Sequence, residues 1–454
     1  MLRTAVVHAR PSAQARELLP TATVPETLGI IFGVLGPTLA KGVIIRRPWM
    51  VSLVERLDLD SRAVRWMQRL RRTHASGPLL IGPYRQRYWA LVLSPDHVRR
   101  VLEGSPDPFA TATAEKIAAL SHFEPKGALI SHGRERSERR HFNEAILDTG
   151  QPVHRLAGDF VTVVREEAHE LLSRTARNGE MTWRTFSHAW FRIVRRIVLG
   201  DSARDDLELT NLIARLRSYA NWAGLWPMNT ALRDRFFARL QSHLERAEPG
   251  SLAAVMASTP VTPDTAPAHQ VPQWLFAFDP AGMTTFRTLA LLATHPEQAE
   301  RVRQEIRAHG DAANDLPYLR ACVLESVRLW PTAPLILRQT TEETTWDDGV
   351  MPAQTGVIIF APFFHRDDER LPFAHRFAPD VWFQEHSPES WPLIPFSAGP
   401  AQCPGRSLVE LVTSALVAAL VDGHRIHLLT RELDARRPLP GTLNHYAPRF
   451  AVDA

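Results

Sequence analysis

Phe396-Ser397-Ala398-Gly399-Pro400-Ala401-Gln402-Cys403-Pro404-Gly405-Arg406 is a glycine- and proline-framed loop that delivers one cysteine to the start of an apolar helix. Behind it Leu408, Leu411, Val412, Ala415, Leu416, Ala419 and Leu420 recur at the three-and-four spacing of a helical face, and Gly423 supplies the stop. Cys403 therefore precedes the first helical turn. Unpaired backbone N–H groups and the positive end of the helix dipole there favour a thiolate over a thiol. Gly399 and Gly405 let the backbone bend and come close to a flat ligand, which a Cβ often prevents. Phe396 and the two glycines around one cysteine form a specific spacing.

An isolated cysteine is more often a buried structural thiol. Here Gln402 is the only bulky polar side chain from Ser397 to Gly405, and the proline–glycine frame does not suit an ordinary core position. The chain has 2 cysteines, Cys322 and Cys403, so neither a four-cysteine zinc site nor a disulfide framework is available.

Across 454 residues no Gly/Ser linker, charge block or repeat divides the chain, which reads as one large domain, residues 1–454, with an irregular segment over about 1–50. Hydrophobic content of 44% against 22% charged is the balance of a folded soluble protein. The run Thr27–Ala40 contains Pro37 and is too short to span a bilayer, so the protein is expected not to be an integral membrane protein. Thr4–Val7 is too weak for a secretory signal, and a cytoplasmic location is expected. The net charge of +4 is spread among acids, except at Arg134, Arg136, Arg139 and Arg140. A solvated basic helix is the plain reading of that cluster, and a diffuse positive face would also steer an acidic protein partner.

Helical patterns are expected over Asp58–Thr73, Asp96–Leu102 and most of Asn143–Ala247, with strands in Leu79–Leu93, broken at Gly82-Pro83, and at Leu335–Thr341 and Gly356–Ala361. An apolar helix over Trp274–Ala293 carries Ala281-Gly282-Met283-Thr284-Thr285 just after Asp279-Pro280, where proline kinks a helix. A kink, a small residue and two hydroxyls suit a groove for a small polar ligand. Equally, Thr284 and Thr285 would bond the preceding turn, as buried helix threonines do. The helix Leu319–Trp330 sets Glu325 and Arg328 three apart; on a surface such a pair is worth a few tenths of a kcal/mol, whereas a buried pair needs further partners. Arg376 is a candidate for that role.

Together these segments resemble the cytochrome P450 family of haem-thiolate monooxygenases. Four motifs match in order: Ala281, Gly282 and Thr285; Glu325 and Arg328; Arg376; and Phe396, Gly399, Cys403 and Gly405. The resemblance implies a mainly α fold with a small β-rich lobe, and haem b (iron protoporphyrin IX) with Cys403 as the iron ligand, pushing electron density that favours O–O cleavage. It implies Arg136, Arg140 and Arg338 on the haem propionates, Glu325, Arg328 and Arg376 as a scaffold lock, and Gly282, Thr284 and Thr285 along the oxygen groove. It further implies insertion of one oxygen atom from O2 into a hydrophobic small molecule. No flavin or iron–sulfur motif is present, so a ferredoxin-type donor and its reductase would supply electrons. The arginine cluster is thereby assigned to propionates, and no nucleic-acid partner is expected.

Three positions depart from the family pattern: Ala401 stands where a propionate-binding base is common, Thr284 where an acid usually precedes the threonine, and Pro280 adds a kink. They leave open a peroxide-driven or rearranging haem-thiolate enzyme, and a non-catalytic relative acting as a binding partner. Trp222, Trp226, Phe236 and Phe237 would line a pocket or belong to the core.

Overall fold

Two hydrophobic clusters organise the chain, one made by helices and one by a sheet with the helices laid on it. The computed structural model describes residues 17–453 except 75, 85–86, 224, 311–314, 385–391 and 431–432. The weak apolar stretch Thr4–Val7 lies outside the described residues.

In the smaller lobe, strands β1 (Leu79–Tyr84), β2 (Arg87–Leu91), β3 (Phe109–Ala110), β4 (Leu335–Thr340) and β5 (Gly356–Phe360) form one sheet in the order β1-β2-β5-β4-β3. Only β2 and β5 pair in parallel, with Trp89 opposite Gly356, where an added Cβ would strike the indole at 2.5 Å. β1 does not break at Gly82-Pro83 as expected. It runs on to Tyr84 with an irregular register between Ile81 and Tyr84.

The segment expected to be irregular is helical from Val24: Val24–Gly29 continues through a π-helical stretch, Ile30–Leu35, into Gly36–Lys41, and Pro48–Arg56 follows. Gly29, Gly33, Gly36 and Pro37 read as breakers. Tertiary contact overrides them, because Ile30 and Val34 are fully buried on the helix Leu59–Thr73 and Gly29 lies against Trp66. Thr23 and Glu26 start the helix with a capping box.

In the larger lobe four helices position the site. They are called here the arginine helix (Gly133–Ile146), the threonine helix (Val271–Thr294), the ion-pair helix (Pro317–Leu329) and the cysteine helix (Arg406–Val421). The threonine, ion-pair and cysteine helices pack on one another in all three pairings. The threonine helix is apolar nearly all round, which is why it runs through the helical core. Trp222 and Trp226 are exposed, whereas Phe236 is fully buried and Phe237 packs on the core. Among the described residues no helix is long and apolar enough to cross a membrane. The fold is thus mainly α with small β-sheets.

Candidate haem-thiolate site

The cysteine loop is fixed by backbone contacts that demand its sequence. Gly399 has φ +68, and a Cβ there would lie 2.3 Å from Leu102 O, so both backbone angle and packing require glycine. A short 3-10 turn, Gly399–Ala401, brings Gln402 N–H to Gly399 O (3.0 Å), and Cys403 N–H then donates to Phe396 O (3.0 Å). Thr149 Oγ1 donates to Pro404 O at 2.7 Å and ties the loop to the end of the arginine helix. Gly405 is different. Its φ is −94 and the nearest atom to an added Cβ is Leu147 Cδ1 at 3.8 Å, so neither backbone nor protein packing accounts for glycine there.

The cysteine helix begins at Arg406, three residues past Cys403. The Gly405 N–H and the Arg140 and Arg406 charges favour the thiolate, but burial outweighs them and pushes the Cys403 thiol up. The helix start alone therefore does not make the thiolate expected from the sequence. A bound metal cation would be the largest local charge and would reverse that balance.

Glu325 and Arg328 are fully buried and meet in a forked pair, Nε–Oε2 at 2.7 Å and Nη2–Oε1 at 2.6 Å. The remaining groups are satisfied by a loop wrapped round them. Arg328 donates to His365 O (2.7 Å), Ala374 O (3.1 Å) and Arg376 O (2.8 Å), and Glu325 accepts from Ala378 N–H (2.9 Å) and Trp382 Nε1 (3.1 Å). This corrects the role given to Arg376. Its guanidinium is exposed and donates to Pro372 O at 2.9 Å; only its carbonyl joins the network.

On the threonine helix Thr284 Oγ1 donates to Pro280 O (3.0 Å) and Thr285 Oγ1 to Ala281 O (2.8 Å), so both hydroxyls are held by the preceding turn. The space beside Gly282 is occupied by protein. A Cβ there would sit 2.7 Å from the Trp190 indole, whose Nε1 donates to Phe278 O at 2.7 Å beside the proline kink. Packing against Trp190 thus gives Gly282 a reason other than opening a groove. Asp279 pairs with Arg217 at 2.5 Å and lies about 240° round the helix from Thr285, so it does not replace the acid absent at Thr284.

The arginine helix sorts its cations. Arg134 pairs with Asp264 (3.3 Å), Arg139 with Glu135 (3.0 Å) and Arg140 with Glu144 (2.5 Å), while Arg136 donates to Thr111 Oγ1 (3.2 Å). Arg338, buried on β4, reaches Ser105 Oγ (2.8 Å), Leu337 O (2.9 Å) and Ser397 Oγ of the cysteine loop (3.5 Å). Between them stands a residue the sequence reading missed. Lys116 lies on the short helix Ala114–Leu120, which Thr113 caps, and its Nζ donates to Thr111 O (2.9 Å) and Leu337 O (3.0 Å). Its neighbour Glu115 is turned away to Arg87 (2.7 Å).

Among the described residues no carboxylate lies within ion-pair distance of Lys116, Arg136 or Arg338. Burial and the two arginines hold the Lys116 ammonium well below its ordinary range, and burial with Arg136 pushes Arg338 down to about 10. Three cations gathered without a carboxylate partner and joined to the cysteine loop through Arg338 and Ser397, together with a glycine, Gly405, that packing does not explain, fit a flat metal macrocycle carrying carboxylates. A sequence signal for Lys116 did exist: the chain has three lysines, Lys41, Lys116 and Lys126, among 53 basic residues.

A family model, Cytochrome P450, matches residues 268–441, which hold the threonine helix, the ion pair and the cysteine loop. The chain belongs to the cytochrome P450 family. It is 32% identical over 159 residues to cytochrome P450 4c3 of Drosophila melanogaster, covering 32% of this chain and 30% of that protein. It is 33% identical over 172 residues to the cyclooctat-9-en-7-ol 5-monooxygenase of Streptomyces melanosporofaciens, covering 35% of each. The chain thus spans about a third of the length of these curated relatives. By structure it is similar to a crystal structure of a cytochrome P450 (CYP102L1), with TM-score 0.69 and 18% identity over 86% of this chain and 98% of that one. A cyanobacterial CYP120A1 bound to retinoic acid gives TM-score 0.69 and 14% identity over 85% and 93%. These likenesses show a shared P450 fold and a family that carries haem. The segments holding Lys116, Arg136 and Arg140 lie outside the matched region.

Proposed function

We propose that this P450 is a haem-thiolate monooxygenase that inserts one oxygen atom from O2 into a hydrophobic small molecule, with haem b as its group. The observation that carries the reading is a group of three cations with no carboxylate in ion-pair contact among the described residues, one of which, Arg338, reaches Ser397 of the cysteine loop at 3.5 Å. Cys403 Sγ would ligate the iron. Arg136, Lys116 and Arg338 would pair the propionates, with Arg140, already held by Glu144, adding positive charge near Cys403. Lys116 then stands in for the base absent at Ala401. The haem, when bound, supplies the iron at which O2 is reduced and one oxygen is transferred.

The chain's own residues do the rest. Thr285 Oγ1 has one proton and now donates it to Ala281 O; turning about χ1 would offer it to a ligand on the other side. The Glu325–Arg328 network holds the loop 373–378 and fixes the wall behind the site. Electrons would come from a separate ferredoxin-type protein and its reductase, the net charge of +4 favouring an acidic partner. Two free thiols, Cys322 and Cys403, support a reducing, cytoplasmic setting.

One observation favours a second reading, peroxide-driven turnover: with both hydroxyls turned to the helix and Asp279 tied to Arg217, the threonine helix offers no acid beside Thr285. Optical spectra of the reduced, carbon-monoxide-bound protein decide the ligand. A strongly red-shifted main band lost in Cys403→Ala is expected, and an unshifted band in the parent would sink the assignment. Product formation from reductant and ferredoxin, compared with peroxide alone, then separates the two readings.

A further inference from the structure

A cavity of about 450 Å³ lies between the helix Leu59–Thr73, the end of the ion-pair helix and the segment Pro438–His445. It borders Arg287, two residues beyond Thr285 and so about 200° round the threonine helix from it. It is therefore a separate place from the cysteine and threonine site. Val51, Val64, Pro362 and Leu439 give it an apolar side, and Arg46, Arg287 and Arg366 a cationic one.

None of these guanidiniums has a carboxylate within ion-pair distance among the described residues. Arg287 donates to Leu443 O (2.8 and 3.1 Å) and Trp330 O (3.1 Å), Arg366 to Leu439 O (2.7 Å) and Leu329 O (2.9 Å), and Arg46 to Thr332 O (2.5 Å) and Gly42 O. The acids on the wall are engaged elsewhere. Asp60 takes Lys41 (2.6 Å) and Thr442, Asp58 takes Ser61 (2.5 Å), Asp368 takes Gln68 (2.7 Å), and Glu55 accepts from Asn444 N–H (2.8 Å). His445 also lines the cavity. It is 1% exposed and neither ring nitrogen has a partner, while its ring lies 4.6 Å from Trp183 and 4.0 Å from Tyr446.

The plain role of Arg287 and Arg366 is to close carbonyls at the end of the ion-pair helix. That role asks for donors, not for three guanidiniums around one cavity with no carboxylate in direct contact, the acids of the wall acting on them only at longer range. A guanidinium has five N–H groups: Arg366 also meets Pro440 O (3.1 Å) and His375 Nδ1 (2.9 and 3.3 Å) and has none to spare, whereas the contacts of Arg46 and Arg287 use only part of theirs. We propose that the cavity binds a small amphiphilic carboxylic acid, its carboxylate against Arg46, Arg287 and His445 and its apolar body against Val51, Val64 and Leu439. Arg65 and Asp368, both exposed, mark its outer edge.

Calorimetric titration of the haem-loaded protein with 4-phenylbutyrate, its neutral analogue 4-phenylbutanol and inorganic phosphate tests this. The acid should bind at least tenfold more tightly than the alcohol and than phosphate, without moving the ferric haem absorption. Arg46→Gln and His445→Phe should each weaken the acid about tenfold, the scale of one charge-assisted hydrogen bond. His445→Phe keeps the edge-to-face contact on Trp183, so it remains informative if Arg46→Gln does not fold. Equal affinity for alcohol and acid, or for phosphate and acid, would overturn the proposal. So would a haem spectral shift with the same midpoint, which would place the ligand over the iron, or unchanged affinity in His445→Phe.

Discussion

Lys116→Met separates a cofactor role from a structural one. In the protein without haem, Lys116 spends two bonds on Thr111 O and Leu337 O, each worth about 1 kcal/mol. Against them stand the desolvation of the ammonium and its repulsion by Arg338 and Arg136, the causes that depress its titration. The depressed titration shows that burial and repulsion outweigh those bonds for the charged form, so the haem-free variant should unfold no earlier than the parent. With haem bound the balance changes. A propionate would give the ammonium a charge-assisted hydrogen bond of about 1.5–3 kcal/mol, and its loss should speed haem transfer to excess apomyoglobin by about 10- to 150-fold. Lys116→Arg, which keeps a charge, should recover part of it.

The pH dependence has a definite sign. A lysine whose folded pKa is depressed binds fewer protons folded than unfolded, so the parent haem-free protein gains stability as pH rises from the folded value toward the ordinary 10.5. Lys116→Met should lack that gain. A haem-transfer rate within twofold of the parent, with earlier unfolding of the haem-free form, would refute the propionate role and leave Lys116 a bridge between two carbonyls.

Three further outcomes follow from the geometry. Glu325→Ala strands a fully buried guanidinium and should cost about 3–5 kcal/mol in denaturant unfolding, whereas Arg376→Ala should stay within about 0.5 kcal/mol, because only the carbonyl of that residue joins the network. Gly282→Ala puts a methyl 2.7 Å from the Trp190 indole and should destabilise by about 1–3 kcal/mol, read by thermal unfolding; an unchanged midpoint would show that the helix slides freely at the kink. Thr285→Ala removes the one hydroxyl proton at that position and should lower product formed per reductant consumed with little change in stability; undiminished coupling would exclude Thr285 from proton handling.

The local features were legible because they depend on short-range geometry. The cysteine loop carries its own turn chemistry, with Gly399 at φ +68, and Glu325 and Arg328 meet simply because three residues is nearly one helical turn. The threonine and cysteine helices announced themselves by apolar periodicity, and the β4 and β5 strands by runs of branched residues. The helices of Val24–Arg56 were not legible, since their glycines and prolines argue against them until Ile30 and Val34 find the helix Leu59–Thr73.

The amino-acid sequence by itself therefore determined the cysteine loop, the ion pair and the threonine-bearing helix, whose residues lie within a few turns of one another. Tertiary structure alone decided what each faces. Lys116 meets Leu337 across 221 residues, Trp190 reaches Phe278 across 88 to fill the space at Gly282, and Arg328 takes the carbonyl rather than the guanidinium of Arg376 across 48. Periodicity reports which side of an element is buried. Charge balance and free volume depend on distances between elements, and only the packed chain fixes those.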